Sequence, residues 1–196
     1  MVKDLAILLF KIGAVKFGKF KLTSGLESPF YIDLRTALSY PEAYRLIVDY
    51  YSSMLNGVEF DKIAGVETAG IPWASMLAYR LGKGLIYVRK EAKQHGAGRL
   101  IEGHLNPGER VVVVDDVLTT GGSITSAVRA IKGSGGIVEL ALVAVDREQG
   151  GVANVKAEGV EVRSIVKVTE LMEMLYREGY IEFSQYLEVL KYLGKA

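Results

Sequence analysis

The sequence contains no cysteine among its 196 residues. This absence excludes disulfide bonds, thiolate metal sites and a cysteine nucleophile together. Histidine is also scarce, with two residues in the whole chain, and His104 has no second histidine or carboxylate at the spacing of metal ligands. We therefore expect no metal site built from protein side chains.

Long apolar runs and an excess of one charge are absent as well. No apolar stretch approaches the length that spans a bilayer, and residues 1–13 lack the small-residue cleavage site of a signal peptide. The 24 Lys and Arg nearly balance the 23 Asp and Glu, so no overall field favours nucleic acid or an anionic membrane. We expect a cytoplasmic protein that binds neither nucleic acid nor membrane.

Hydrophobic residues make up 49% of the chain, which is enough to form one substantial core. Neither an internal repeat nor a long linker is visible, so residues 1–196 are predicted to form a single domain. Short β-rich runs alternate with helix-like segments, which indicates an α/β fold with a doubly wound, mainly parallel sheet. The predicted strands are 62–66, 84–88, 110–114, 137–145 and 160–168. The predicted helices are 4–12, 44–55, 71–81, 123–132 and a helical C-terminus from Thr169.

The string VVVVDDVLTTGGSITSA, from Val111 to Ala127, combines a buried strand with polar residues at its end. Ligands of such sheets bind beyond the carboxyl ends of the strands, where Asp115 and Asp116 stand. The Thr, Gly and Ser residues that follow lie where a turn meets a helix N-terminus, which suits a phosphate. A carboxylate pair beside a phosphate site fits a ribose 5-phosphate. For either aspartate alone we would favour a structural turn, but the whole string favours a ligand site.

The second notable stretch is RKEAKQHGAGRLIEG, residues 89–103, which is locally basic. Its two central glycines disfavour a stable helix, so we expect a mobile cationic loop. Such a loop suits a leaving pyrophosphate, provided that it closes over the site and excludes water. Charge count alone would favour a solvated surface.

These stretches together carry a resemblance to a known family. The string from Val111 to Ala127 resembles the phosphoribosyl pyrophosphate (PRPP) motif of type I phosphoribosyltransferases. The order Arg-Lys-x-x-Lys-x-His-Gly from Arg89 is similar to the signature loop of orotate phosphoribosyltransferases, and segments 17–35 and 143–151 resemble two more regions of that family. The resemblance implies a small N-terminal hood, about residues 1–40, and a mobile catalytic loop, about residues 89–103.

The same resemblance implies an activity and an assembly. The activity is Mg²⁺-dependent transfer of the phosphoribosyl group from PRPP to orotate, which gives orotidine 5'-monophosphate and pyrophosphate in de novo pyrimidine synthesis. Mg²⁺ would arrive on the diphosphate and water. The assembly is a homodimer in which the loop of each subunit reaches into the active site of the other.

By resemblance, the residues of this sequence receive roles. The catalytic residues would be Lys93, His95, Asp115 and Asp116. The PRPP-binding residues would be Arg89, Lys90, Lys93, His95, Asp115, Asp116, Val117, Leu118, Thr119, Thr120, Gly121, Gly122 and Ser123. The orotate-binding residues would be Thr119, Arg147, Tyr31 and Ile32, with Arg147 pairing with the orotate carboxylate.

Some alternatives stay open at this point. Without the resemblance, Arg147 would be assigned to a surface ion pair with Asp146 or Glu148. Many family members have Lys where this chain has Thr23 and Ala69, so two cationic contacts to PRPP are missing. The acceptor could also be a purine or another pyrimidine, or the chain could be a PRPP-sensing regulator that has lost the chemistry.

Overall fold

The computed structural model describes residues 2–21, 27–91 and 100–195. Its helices are α1 (Val2–Lys11), α2 (Pro41–Met54), α3 (Gly70–Leu81), α4 (Gly122–Gly133), α5 (Gly151–Ala157), α6 (Val168–Arg177) and α7 (Phe183–Tyr192), with a 3-10 helix at Leu34–Ser39. Its strands are β1 (Val15–Lys21), β2 (Glu27–Ile32), β3 (Lys62–Val66), β4 (Gly84–Val88), β5 (Ile101–Glu102), β6 (Arg110–Val114), β7 (Val117–Leu118), β8 (Ile137–Asp146) and β9 (Glu161–Lys167).

The central sheet confirms the predicted α/β class. Within the described ranges it has seven strands in the order β5-β4-β3-β6-β8-β7, and β9 pairs with β8 on the same sheet. All neighbours are parallel except β5, which pairs antiparallel with β4 at the edge. A parallel sheet of this kind is covered on both faces, which explains why its strands are continuous apolar runs instead of alternating ones.

Strand β6 illustrates how the two faces are filled. Val112 and Val114 pack into one core with α1, α2, α3 and α6, whereas Val111 and Val113 pack into a second core that includes α4. Successive side chains of a strand point to opposite faces, so four consecutive valines contribute to two cores. The strand is therefore buried from Val111 to Val114, and its polar continuation, Asp115 and Asp116, lies at the carboxyl edge of the sheet.

The predicted strands 62–66, 84–88 and 110–114 coincide with β3, β4 and β6. Differences concentrate at both ends of the chain. The extended region expected between the first two helices is the antiparallel hairpin of β1 and β2 followed by the 3-10 helix. The helical C-terminus is two helices, because α6 ends before Gly179, whose φ of +73° is left-handed backbone that favours glycine.

Within the described segments, no helix is both long enough and apolar enough to cross a membrane. The single tryptophan, Trp73, is fully buried in the core at the start of α3. This helix packs directly behind the end of β6 and so helps to position the acidic pair there.

Candidate active site

The acidic pair stands at the carboxyl end of β6, in the position that the sequence predicts. Asp115 is 7% exposed, and the hydroxyl of the buried Tyr51 donates a hydrogen bond of 2.8 Å to its carbonyl oxygen. The amide of Asp116 donates to Oδ1 of Asp115 (2.9 Å), and the amide of Val117 donates to Oδ1 of Asp116 (2.7 Å). Backbone amides therefore fix both carboxylates, and the buried tyrosine holds the main chain of Asp115.

Close approach of α3 requires glycine at its first residue. A Cβ atom at Gly70 would lie 2.4 Å from the carbonyl oxygen of Val114 and 3.2 Å from Oδ1 of Asp115. A side chain at this position would displace the end of β6 and the first aspartate with it. Gly70 is thus a structural determinant of the site.

Burial dominates the electrostatics of the pair. Desolvation, reinforced by the neighbouring charge of Asp116, raises the pKa of Asp115 well above its ordinary value, and Lys90 opposes this effect. Desolvation also raises the pKa of Asp116, against the hydrogen bond from Val117 and the charge of Arg35. The free protein therefore holds protons on this pair more tightly than exposed carboxylates would, and a cationic or hydroxyl-bearing ligand would relieve the cost.

We expect Asp115→Asn to stabilise the free protein, by an amount that increases with pH. The ordinary pKa of aspartate, 3.8, applies to the unfolded chain, whereas the folded pKa is raised. As the pH rises above about 4, the unfolded wild-type chain loses its proton first, so wild-type stability falls, while the asparagine does not titrate. The gain should reach on the order of 1–3 kcal/mol at pH 8.

Urea unfolding of both proteins between pH 4 and 8 measures this difference. Asp49→Asn is the matched control, because Asp49 is an exposed carboxylate paired with Arg80 and should give no such gain. A constant or shrinking difference between Asp115→Asn and wild type as the pH rises would contradict the assigned cause.

The segment after the acidic pair forms a loop at the N-terminus of α4, which we call the phosphate loop (residues 119–123). Gly121 is the N-cap of α4 with a left-handed φ of +83°, and no side chain caps the helix there. A Cβ at Gly121 would lie 2.9 Å from the carbonyl oxygen of Gly151, so the loop packs tightly on α5. Uncapped amides and the helix dipole make this helix start suited to an anion.

The phosphate loop forms one side of a cavity of about 430 Å³. Its walls bring together most of the residues assigned to PRPP, including Arg89 and Lys90 from the end of β4. The cavity is lined by Val66, Val88, Arg89, Lys90, Asp115, Val117, Leu118, Thr119, Thr120, Gly121, Gly122, Ser123, Ile124, Ser126 and Ala127. The side chain of Asp116 is not among these residues, and Arg35 of the 3-10 helix acts on it electrostatically.

A second loop follows β3 and runs from Glu67 to Gly70, where it packs against the end of β6 and Asp115. The side chain of Glu67 accepts a 2.7 Å hydrogen bond from the amide of Lys90, and the peptide bond between Glu67 and Thr68 is cis. Arg89 lies 3.5 Å from Glu102, which orients its guanidinium. The end of β4 is thereby tied to the loop that follows β3, next to the acidic pair.

Arg147 follows β8 and lies on a different side of the site, against the hairpin. Its amide donates to the carbonyl oxygen of Leu118 (2.9 Å), which places it directly beside the phosphate loop. Its guanidinium carbon lies 4.7 Å from the centre of the Phe30 ring, and its Nη2 is 3.5 Å from Oγ of Ser28. The residue is only 6% exposed, and burial lowers its pKa.

No acidic group of residues 2–21, 27–91 or 100–195 pairs with Arg147. Its Nε atom is buried without a hydrogen-bond partner in those same ranges. Glu148 binds Lys195 and the amide of Thr169, while Asp146 accepts from the amide of Glu148. The alternative of a surface ion pair with either neighbour is therefore wrong, and Arg147 is a buried cation with no anionic partner in the described part of the chain.

Of the remaining residues singled out from the sequence, the structure describes Tyr31 and Ile32, both on β2. Tyr31 lies on β2, near enough to Arg147 to affect its pKa, and Ile32 is 7% exposed and pairs with Val15 in the hairpin. Lys93, His95 and Thr23 lie outside the described residues. Within the described part of the chain, no group of three or more His, Asp or Glu side chains could hold a metal ion.

Sequence reasoning missed three residues of the site: Tyr51, Ser28 and Phe30. Tyr51 is 64 positions from Asp115, and no local pattern could identify it. Ser28 and Phe30 are buried and alternate along β2 with the less buried Glu27, Pro29 and Tyr31. The letters ESPFYI do not show this alternation, because a polar serine takes one of the buried positions.

Comparison with known proteins agrees with this description. The family model of the phosphoribosyl transferase domain matches residues 36–175. The doubly wound sheet, the acidic pair and the phosphate loop, together with this match, define the chain as a phosphoribosyltransferase.

The relatives narrow this class. The orotate phosphoribosyltransferase of Pyrobaculum islandicum is 54% identical over 186 residues, 94% of this chain and 95% of the relative. That of Aeropyrum pernix has a crystal structure with a TM-score of 0.80, 40% identity and coverage of 91% and 99%. Leishmania donovani UMP synthase superposes with a TM-score of 0.88 and 34% identity over 99% of this chain, which spans 42% of that one. The chain belongs to the orotate phosphoribosyltransferase family.

Proposed function

We propose that the chain transfers the 5-phosphoribosyl group of PRPP to orotate, giving orotidine 5'-monophosphate and pyrophosphate, as a step of de novo pyrimidine synthesis. The observation that carries this proposal is Arg147, a buried guanidinium without an acidic partner among the described residues, beside the phosphate loop. Orotate is a pyrimidine that bears a carboxylate, and this carboxylate would pair with the buried guanidinium of Arg147.

The physical cost of Arg147 supports a planar anionic ligand. Burying a charge costs free energy unless the charge is paired. Burial lowers the pKa of Arg147, which reflects that cost. A planar guanidinium can give two parallel hydrogen bonds to a carboxylate, and its stacking on Phe30 leaves its edge for them. Tyr31 and Ile32 on β2, and Thr119 in the phosphate loop, complete the proposed base site.

The cavity beside Arg147 suits the other substrate. The phosphate loop would bind the 5-phosphate through the amides at the start of α4, and Asp115 and Asp116 would accept hydrogen bonds from the ribose hydroxyls. Arg89 and Lys90 would contact the diphosphate, together with Lys93 and His95, which the family resemblance assigns to it. Each role is matched to the charge of the group it would contact.

In this mechanism, a bond forms from the orotate ring nitrogen to C1 of the ribose while the bond from C1 to the diphosphate oxygen breaks. The ring nitrogen reacts as an anion, so the protein needs no nucleophile and no general base. The residues act by position and by charge, because they hold both reactants in line and stabilise the departing diphosphate.

Mg²⁺ is the proposed cofactor. Mg²⁺ is usually held by substrate phosphates, water and one or two carboxylates, and the acidic pair fits this manner of binding without a cage of protein ligands. When bound, the ion would neutralise the charge of the diphosphate. Asp115 and Asp116 would hold it through water or through the ribose hydroxyls.

We also propose that the active unit is a homodimer, each subunit a single domain with an N-terminal hood, in the cytoplasm. A largely apolar groove of about 490 Å³ lies between α2 and α3, and Tyr79 at its edge is 92% exposed. A second copy of the chain would cover this face.

A panel of bases incubated with PRPP and Mg²⁺, with pyrophosphate as the readout, tests the proposed reaction. Orotate should be consumed, with uracil and hypoxanthine at least 100-fold slower, because a site with an unpaired buried cation discriminates strongly against a base without a carboxylate. Turnover of a purine or uracil but not orotate would overturn the assignment. PRPP binding without any turnover would instead favour a PRPP-sensing regulator.

A further inference from the structure

We propose that Tyr192, the last residue of α7, is a positioning residue for Arg147 and so contributes to the choice of the acceptor base. The inference rests on the proposed function, since it assigns Tyr192 a part in the orotate site. Tyr192 is 45 positions from Arg147, on the C-terminal helix, which the sequence analysis assigned no role.

Phe30 is the link between the two residues. The guanidinium of Arg147 lies over its ring, with 4.7 Å between the guanidinium carbon and the ring centre. The ring of Tyr192 meets Phe30 edge-on, with the ring centres 5.9 Å apart and an angle of 86° between the planes. Phe30 is fully buried, so its ring plane depends on these contacts.

Tyr192 is itself held in place. Nε2 of Gln149 donates a 3.1 Å hydrogen bond to the tyrosine hydroxyl, and Gln149 follows Arg147 by two residues in the segment after β8. The tyrosine is also near enough to Arg147 to act on its pKa. A series of contacts therefore runs from the segment that carries Arg147, through Gln149 and Tyr192, to the Phe30 ring beneath the guanidinium of Arg147.

The consequence is control of the guanidinium plane. Two parallel hydrogen bonds to a carboxylate require a fixed plane, and a guanidinium stacked on a ring follows the tilt of that ring. Among the described residues, the other side-chain contact of the guanidinium, to Oγ of Ser28, is long, at 3.5 Å. Loss of Tyr192 should leave the positive charge of Arg147 in place but allow the plane of its guanidinium to rotate.

The position of these residues in the chain points in the same direction. The phosphoribosyl transferase domain model matches residues 36–175, a range that contains the phosphate loop, the acidic pair and Arg147. Ser28, Phe30 and Tyr192 lie outside that range, on the hairpin and on α7. The contacts around the Arg147 guanidinium are therefore supplied by parts of the chain outside the general domain model, although Arg147 itself lies within it.

Steady-state kinetics of Tyr192→Leu and Tyr192→Phe test the inference. Tyr192→Leu should raise KM for orotate about tenfold and change KM for PRPP less than twofold, because an aromatic pair and a planar hydrogen-bonded contact are lost at the base site alone. Tyr192→Phe keeps the ring and should show a smaller increase, about two- to threefold. Tyr186→Leu is the matched control on the same helix, since Tyr186 stacks on Tyr176 and should leave both KM values unchanged.

The outcomes separate this inference from the proposed function. A wild-type protein that does not use orotate would refute the function itself. An active wild type whose Tyr192→Leu variant has an unchanged KM for orotate, or equal losses for both substrates, would refute the positioning role alone. If Tyr192→Leu does not fold, Tyr192→Phe and Gln149→Ala decide the matter, and wild-type KM values in both would overturn the inference.

Discussion

Arg147→Ala is expected to lower kcat/KM for orotate by roughly 30-fold to 900-fold while PRPP binding changes little. The change would remove the proposed buried, bidentate charge-assisted contact, worth about 2–4 kcal/mol, and each 1.36 kcal/mol corresponds to a tenfold change in rate. PRPP should be unaffected because its proposed contacts lie in the cavity of the phosphate loop and Arg89, whereas Arg147 lies on the hairpin side. Initial rates with each substrate varied in turn measure the two effects.

The thermal stability of a second variant, Arg147→Met, tests whether Arg147 serves ligand binding or the stability of the fold. Arg147→Met replaces an unpaired buried charge by an apolar side chain of similar length, so the free protein should unfold at a higher temperature than wild type. Arg129→Ala, which removes an exposed arginine paired with Glu158, should leave both kcat/KM values unchanged. Equal losses for orotate and PRPP, or a large loss of stability in Arg147→Met, would make Arg147 a structural residue.

Mixed dimers of two inactive variants are expected to regain about a quarter of the wild-type sites. From the family resemblance we propose that Lys93 acts in the active site of the other subunit, whereas Asp116 acts in the site of its own chain. Lys93→Ala and Asp116→Asn should each be nearly inactive, since one removes a charge at the leaving diphosphate and the other a fixed carboxylate. After unfolding, mixing and refolding, random pairing makes about half of the dimers hybrid, and each hybrid has one intact site.

The matched control is a mixture of Asp115→Asn and Asp116→Asn. Both residues lie at the end of β6, with the amide of Asp116 bonded to Oδ1 of Asp115, so they belong to the same site of the same chain. Their hybrids contain one defect in each site, and no activity should return. Restoration in this control, or hybrids of the first pair that form but stay inactive, would refute sharing of the sites.

Much of the site was available from the sequence because it is contiguous. The strand, the two aspartates and the phosphate loop occupy residues 111–123, and the backbone of one strand end and one helix start supplies most of the polar groups. Short β-rich runs also predicted β3, β4 and β6 at their observed bounds. Local sequence determines such features because a strand that is buried on both faces is a continuous apolar run. The first polar residues after that run therefore mark the end of the strand, where ligands of such sheets bind.

The environment of Arg147 was decided only by the tertiary structure. In the sequence it stands between Asp146 and Glu148, and an ion pair with either was the simpler assignment. In the fold, Glu148 is taken by Lys195 and Thr169, and the guanidinium lies on the hairpin, 119 positions from Ser28 along the chain.

Long-range packing likewise placed Tyr51 under Asp115 and Tyr192 beside Phe30. The sequence by itself determined the fold class, the acidic pair and the phosphate loop, since these follow from the periodicity and chemistry of adjacent residues. The tertiary structure decided which charges are buried and which partners they have. Burial and pairing depend on segments far apart in the chain, and those properties set the pKa of Asp115 and the cost of an unpaired Arg147.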